Sequence, residues 1–511
     1  MNTPYGLMRR LAILGAVAAA AVTVRGGQTR AAESRPNPPN IVFIMADDLG
    51  WGELGCYGQT KIRTPHIDGL AREGMRFTQH YSGSPVCAPS RCVLMTGLHT
   101  GRAEIRNNKS QTDADGQRIE GQHPLSADAQ TIAEVLKKAG YATGAFGKWG
   151  LGPADSTGAP HRQGFDLFFG YICQSMAHSY YPPHLWRNDE RIPFNANPVP
   201  GHAEQPEGPV RYEDWTAENY APAAMLAEAV KFIHANKDRP FFLYLPFIEP
   251  HVALQPPRAL VETYPDAWDD RPYRGQCGYT PHPRPRAAYA ALITSLDNHV
   301  GTILRTLEEL DLADNTLVVF TSDNGPTHDR PADEVFGVGG VDTAFFNSTA
   351  GLRGRKGSVY GGGIRVPLIV RWPGRVEPGS VSGFPSYFPD HFPTLCEAAG
   401  VPVPENLSGL SLLPTITGHG GQPAHEAMVW AFLGYRGQVA VRLGDLKVLR
   451  QGLAQKGDPG PWEVYDLARD PNETTDLAAE RPEVIARAEE VLRHELTPNP
   501  VFPLAIPGVN R

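Results

Sequence analysis

The chain has 511 residues, of which 41% are hydrophobic and 20% charged, enough for one large core and a smaller second body. A formal net charge of −8 without an extended basic run argues against nucleic acid as a partner, so an anionic substrate must be met by local positive charge. Six cysteines are too few for a disulfide framework at this length; no pairing follows from sequence, and buried free thiols are expected for most.

Arg9 and Arg10 precede an apolar stretch over residues 11–22, and small residues around 29–31 suit cleavage. This predicts an export signal over residues 1–31 and a periplasmic or secreted protein. The stretch is short for a bilayer, and no other segment is apolar enough, so no stable membrane span is expected. Residues 41–46 read as a buried strand. Thr64 and Pro65 open a helix with Ile67, Leu70 and Ala71 inward and Gly74 at its end. A second helix over residues 130–139 is followed by a strand at 141–146. Helical spacing returns at 223–233, then a strand at 241–247, a long helix at 286–310 and a strand at 316–321. This alternation predicts an α/β fold: a large, mixed but mainly parallel sheet with helices on both faces. After residue 413 the texture changes to short apolar runs at 429–432, 439–443, 446–449 and 462–465, separated by Gly and Pro. They predict a small α+β body with an antiparallel sheet and a final helix near 482–494. The expected division is a catalytic domain over 38–424 and a C-terminal subdomain over 425–511.

Asp47-Asp48, Lys148, His251 and Asp323-Asn324 each follow a predicted strand. Residues beyond the carboxyl ends of strands in an open parallel sheet converge on one crevice. A lone Asp there is more often a turn former; two acidic pairs at equivalent strand ends indicate hard oxygen ligands for calcium or magnesium rather than zinc. In C-A-P-S-R, residues 87–91, Pro89 suits the first turn of a helix. Cys87 then stands at a helix N-terminus, which favours an anion, with Arg91 one turn on.

These segments resemble the type I sulfatases of the alkaline-phosphatase-like superfamily, from about residue 40 to residue 477. The resemblance is carried by I-V-F-I-M-A-D-D-L-G, T-P-H-I-D-G-L-A, C-A-P-S-R, G-K-W-G, Pro250-His251, T-S-D-N-G, L-R-G-R-K-G and W-E-V-Y-D-L-A-R-D-P, in that order. It implies that a formylglycine-generating maturation enzyme oxidises Cys87 to an aldehyde. One hydroxyl of the hydrated aldehyde attacks sulfur; loss of a proton from the other then expels sulfate. It also implies that Asp47, Asp48, Asp323 and Asn324, with the modified Cys87, hold Ca2+. Arg91 would steady the nucleophile, Lys148 would grip sulfate, and His251 and Lys356 would contact sulfate and the bridging oxygen, with His251 the acid for the leaving alcohol.

Two positions depart from the pattern. Gly150 stands where many relatives carry a His that helps sulfate leave, and Gly361 where many carry Glu. His178, in C-Q-S-M-A-H-S-Y-Y-P-P, is a candidate to supply the imidazole and to touch substrate. Tyr180, Tyr181, His184 and Trp186 offer aromatic faces for a sugar, and Arg353 and Arg355 flank Lys356 and suit an anionic chain. The expected substrate is sulfated galactose or N-acetylgalactosamine within a polysaccharide. The alternatives are a phosphatase or phosphodiesterase of the same superfamily, and an inactive relative that binds sulfated glycans.

Overall fold

The apolar run at 41–46 is the strand Asn40–Ala46, at the centre of a ten-stranded sheet. The computed structural model describes residues 38–328, 336–454 and 459–510; the predicted export signal lies outside the described residues. Asn40–Ala46 pairs in parallel with Phe241–Pro246 on one side and Thr316–Ser322 on the other. Ala142–Lys148 and Leu167–Tyr171 continue the parallel order. The first four of these strands are buried along their whole length, which is why they read as unbroken apolar runs. The sheet's edges were not legible. Met75–Phe77, Leu368–Arg371 and Ser380–Ser382 lie on one side, His184–Arg187 and Glu190–Pro193 on the other, short and largely antiparallel.

Alternate residues of the central strands feed two cores. Val42, Ile44, Leu243 and Phe320 pack under the helices Ala221–Asn236 and Pro285–Glu309. Ile41, Phe43, Tyr244 and Val319 pack under Cys87–Thr96, Ile132–Lys138 and His391–Ala398. The helix Pro65–Glu73 buries Ile67, Leu70 and Ala71, as its spacing predicts, and stops at Gly74. Ile132–Lys138 starts at a capping box between Thr131 and Glu134.

Met428–Phe432, Gln438–Leu443, Leu446–Gln451 and Trp462–Asp466 form a four-stranded antiparallel sheet. Val484, Ala488 and Leu492 of the helix Pro482–Glu495 cover one face. The other face packs Trp430, Phe432 and Tyr465 against Val86, Val359 and Tyr360. The Trp430 indole donates to the Ser82 carbonyl at 2.9 Å, so this sheet buttresses the segment leading into Cys87. Among the described residues no helix is long and apolar enough to cross a membrane, and none of the six cysteines is in a disulfide.

Candidate active site

Four strand ends deliver the site. Asp47 and Asp48 follow Asn40–Ala46, Lys148 ends Ala142–Lys148, His251 lies beyond Phe241–Pro246, and Asp323 and Asn324 follow Thr316–Ser322. All six are buried. Cys87 is the first residue of Cys87–Thr96, a helix buried along its whole length behind an extended Val86. Its thiol therefore sits at the positive end of the helix, at the mouth of the sheet crevice.

The side chains interlock around that thiol. Cys87 Sγ lies 3.4 Å from Asp47 Oδ1 and 3.6 Å from both Lys148 Nζ and Lys356 Nζ. Lys148 Nζ is 2.5 Å from Asp47 Oδ2, and Lys356 Nζ is 2.8 Å from the Asp48 carboxylate and 3.2 Å from His251 Nε2. Arg91, 1% exposed, donates from Nε and Nη2 to Asp323 Oδ2 at 3.2 and 2.8 Å and approaches Asp47 at 3.4 Å. A further bond to the Lys148 carbonyl fixes its plane.

Burial and neighbouring charge push these groups apart. Burial raises the Asp47 carboxyl, but Lys148, His251, Arg91 and Lys356 together hold it far below the usual carboxylate range. Asp323 is pushed up to about 6 by burial and then by Asp47. Burial, then Asp47, raises the Cys87 thiol, so an unmodified Cys87 is a poor thiolate. Burial lowers Lys356, but Asp48, Cys87 and Asp47 together outweigh it and keep the ammonium charged. Burial, then Lys356, keeps the His251 imidazole neutral.

Ligand atoms of Asp47, Asp48, Cys87 and His251 lie within 4.8 Å of one another. Asn324 Nδ2 donates to Asp48 Oδ1 at 2.7 Å and to the Gly325 carbonyl at 2.9 Å, while its buried Oδ1 has no partner among the described residues. Asp48 adopts a left-handed φ of 64°, a conformation that costs an L-residue energy and clusters at working sites. Three carboxylates and an orphaned amide oxygen fit a hard cation such as calcium.

Gly150 has φ +82°, and a Cβ there would lie 2.0 Å from Gln174 Nε2. Gln174 thus fills the space an imidazole would need. Its buried Oε1 and Nε2 both lack partners among the described residues. His178 lies elsewhere, stacked on His251 with ring centroids 5.1 Å apart, its Nδ1 2.9 Å from His202 Nε2. Tyr279 stacks on His202 at 4.4 Å and completes this wall. Gly361 donates its N–H to the Glu473 carboxylate, which a Cβ there would meet at 3.1 Å. Arg353 is not brought to the cluster: it lies 3.9 Å over the Tyr360 ring and donates to the Tyr465 hydroxyl and the Glu473 carbonyl. Tyr180 and Tyr181 are 0% and 4% exposed, so they cannot stack on a sugar; the Tyr180 hydroxyl instead holds the His251 carbonyl at 2.7 Å. His184 and Trp186 are tied to Glu120. Gln174, His202 and Tyr279 were missed, because only tertiary structure places Gln174 against Gly150, His202 against His178 and Tyr279 against His251.

The sulfatase family profile matches residues 39–401, and that of the C-terminal region of N-sulphoglucosamine sulphohydrolase matches residues 355–497. Human arylsulfatase A is 32% identical over 495 residues, covering 89% of this chain and 87% of the relative. The N-acetylgalactosamine-6-O-sulfatase of Bacteroides thetaiotaomicron is 31% identical over 512 residues, covering 89% and 92%. The crystal structure of Ps i-CgsB in complex with k-i-k-neocarrahexaose superimposes with a TM-score of 0.70 at 25% identity, covering 90% of this chain and 94% of that one. By sequence, sheet order and the residues gathered around Cys87, this chain belongs to the sulfatase family, the sulfuric ester hydrolases.

Proposed function

We propose that this sulfatase is an exported enzyme that removes sulfate from galactose or N-acetylgalactosamine units of a polysaccharide, using a formylglycine made from Cys87. The observation that carries the reading is the position of Cys87: a buried helix N-terminus, 3.6 Å from two ammonium groups and beside the Asp47 carboxylate. Asp47, Asp48, Asp323 and Asn324 would hold Ca2+, with the Cys87 side chain facing it; the thiol stands in for the hydrated aldehyde. The hydrated aldehyde brings the attacking hydroxyl and a second one for sulfate release, and the ion offsets sulfate charge.

The chain's own groups do the rest. Arg91, clamped by Asp323 and the Lys148 carbonyl, holds the nucleophile's helix turn in place. Lys148 and Lys356 point their ammonium groups at the space beside Cys87 and suit sulfate oxygens. His251 Nδ1 faces the Val252 carbonyl, which can only accept, so Nε2 carries the lone pair and faces Lys356. The Lys356 ammonium therefore carries the proton that the leaving alcohol needs, and His251 Nε2, accepting from it, holds that ammonium in place. The substrate class is supported by the wall of His178, His202 and Tyr279 beside His251, and by the names of the two carbohydrate relatives above. Export is supported by the N-terminal pattern at residues 9–31.

The test is peptide mass spectrometry of protein co-expressed with a maturation enzyme, followed by sulfate release from a panel of sulfated sugars. The expected result is aldehyde at Cys87 and turnover on a sulfated galactose or N-acetylgalactosamine. An intact thiol at Cys87 alongside full turnover would overturn the nucleophile, and turnover confined to other sugars would overturn the substrate.

A further inference from the structure

We infer that the cleft beside Lys356 is a subsite for a second anionic group, a carboxylate or sulfate on the sugar next to the sulfated one. The cleft encloses about 400 Å³ and runs from Lys356 past Arg355 and His328 to Tyr435 and Arg436. Its floor is continuous with the active site: Lys356, which reaches Cys87, is followed by Gly357, and the Tyr435 ring lies 2.9 Å from where a Cβ on Gly357 would stand. Gly357 is held from below by the Pro85 carbonyl and the Gln438 side chain. The far wall is the turn joining Met428–Phe432 to Gln438–Leu443, so the C-terminal sheet supplies it.

Three features point to an anionic ligand. The lining holds Arg355, Lys356 and Arg436, and none of the described lining residues is acidic, in a chain whose net charge is −8; such local concentration of one sign selects the opposite charge. The Arg436 guanidinium is exposed and has no ion-pair or hydrogen-bond partner among the described residues. Tyr435 is 52% exposed, with its hydroxyl 2.5 Å from His328 Nε2, leaving an anchored aromatic at the cleft's edge for a pyranose ring. Both turn residues are non-glycine and left-handed, with φ of 49° and 77°. A loop under no functional demand would relieve that cost with glycine.

The subsite rests on the proposed glycan substrate, so its test reads binding and turnover separately. Two disaccharides carry the same sulfated N-acetylgalactosamine, one with a uronate neighbour and one with a neutral hexose. Calorimetric affinities for both are measured on wild type, Arg436→Ala and Arg436→Lys; Ala and Lys bear the same backbone strain and differ in charge. We expect wild type to prefer the uronate probe roughly 10-fold or more, Arg436→Ala to erase the preference and Arg436→Lys to keep most of it. A wild type without preference, or a preference that survives Arg436→Ala, overturns the subsite. Preference lost in Arg436→Ala without sulfate release from aldehyde-bearing protein upholds the subsite and sinks the hydrolytic reading of these sugars. Release from both probes without preference does the reverse.

Discussion

Replacing Gln174 by leucine separates what the side chain does for stability from what it does for turnover. Gln174 is 6% exposed, and neither its Oε1 nor its Nε2 has a partner among the described residues. A buried amide in that state carries about 1–3 kcal/mol of desolvation that nothing repays. Leucine has similar length and volume and no polar atom, so Gln174→Leu should be more stable to denaturant by about that amount. Catalysis should move the other way. The amide lies against Gly150, two residues from Lys148, at the position where the family resemblance implies an imidazole. A hydrogen bond from such an amide to a charged oxygen contributes about 1.5–3 kcal/mol, so kcat/KM for sulfate release should fall roughly 10- to 100-fold. The assays are a denaturant titration and ion-chromatographic sulfate release on one protein batch. A variant that loses stability and turnover in step would show that the amide is only a packing element. A more stable variant with full turnover would show that it is idle.

Gly150→His should not restore the relatives' arrangement: the left-handed φ costs about 1–2 kcal/mol for any L-residue, and its Cβ would meet the Gln174 amide. Activity should drop in the single variant and partly return with Gln174→Gly; a fully active single variant would refute the steric argument. Calcium should stabilise the fold, by about 2.7 kcal/mol at 100 times Kd, so chelation should lower the thermal midpoint and calcium, not zinc, should restore it; an indifferent midpoint removes the ion from this site. His391 is buried against Phe43, with its Nε2 3.2 Å from His80, and burial holds its pKa at about 3. The unfolded chain binds a proton below pH 6.5 that the folded chain excludes, so this stability is present above about 6.5 and is lost as pH falls toward about 3. His391→Phe should flatten the stability slope between pH 6 and 4 by up to about 1.4 kcal/mol per unit; an unchanged slope would contradict the assignment.

Legibility followed burial. Strands buried on both faces, such as Asn40–Ala46 and Thr316–Ser322, announce themselves as apolar runs, and the polar residues at their ends point to the crevice from sequence alone. Edge strands such as Met75–Phe77 and Glu190–Pro193 are short and partly exposed, and their pairing is set by neighbours distant in sequence. The same divide runs through the site. Cys87, Arg91 and the acidic pairs sit in local motifs. Gln174 has no motif of its own, because its meaning comes from the glycine it covers. Tyr180 misled for the converse reason: its sequence context resembles a sugar-binding loop, but its hydroxyl is spent on the His251 backbone. Arg353 misled because proximity in sequence to Lys356 does not fix direction, and a cation–π contact with Tyr360 turns it toward the C-terminal sheet.

The charges around Cys87 explain why metal and sulfate belong to one site. Asp47, Asp48 and Asp323 balance Arg91, Lys148 and Lys356, each cation paired to a carboxylate at 2.5–2.8 Å. A set that closes on itself has no excess charge for an incoming anion. The carboxylates also crowd one another, since Asp47 is among the groups that raise Asp323. A divalent cation among the three acids relieves that repulsion and leaves the cluster with a formal excess of about two positive charges. The ammonium groups of Lys148 and Lys356 can then turn from carboxylate to sulfate without stranding a buried negative charge, a change that would otherwise cost several kcal/mol. Because the chain as a whole carries −8, this positive potential is confined to the crevice. The surface therefore repels anions except where the crevice opens, and selection for a sulfated substrate begins at that mouth.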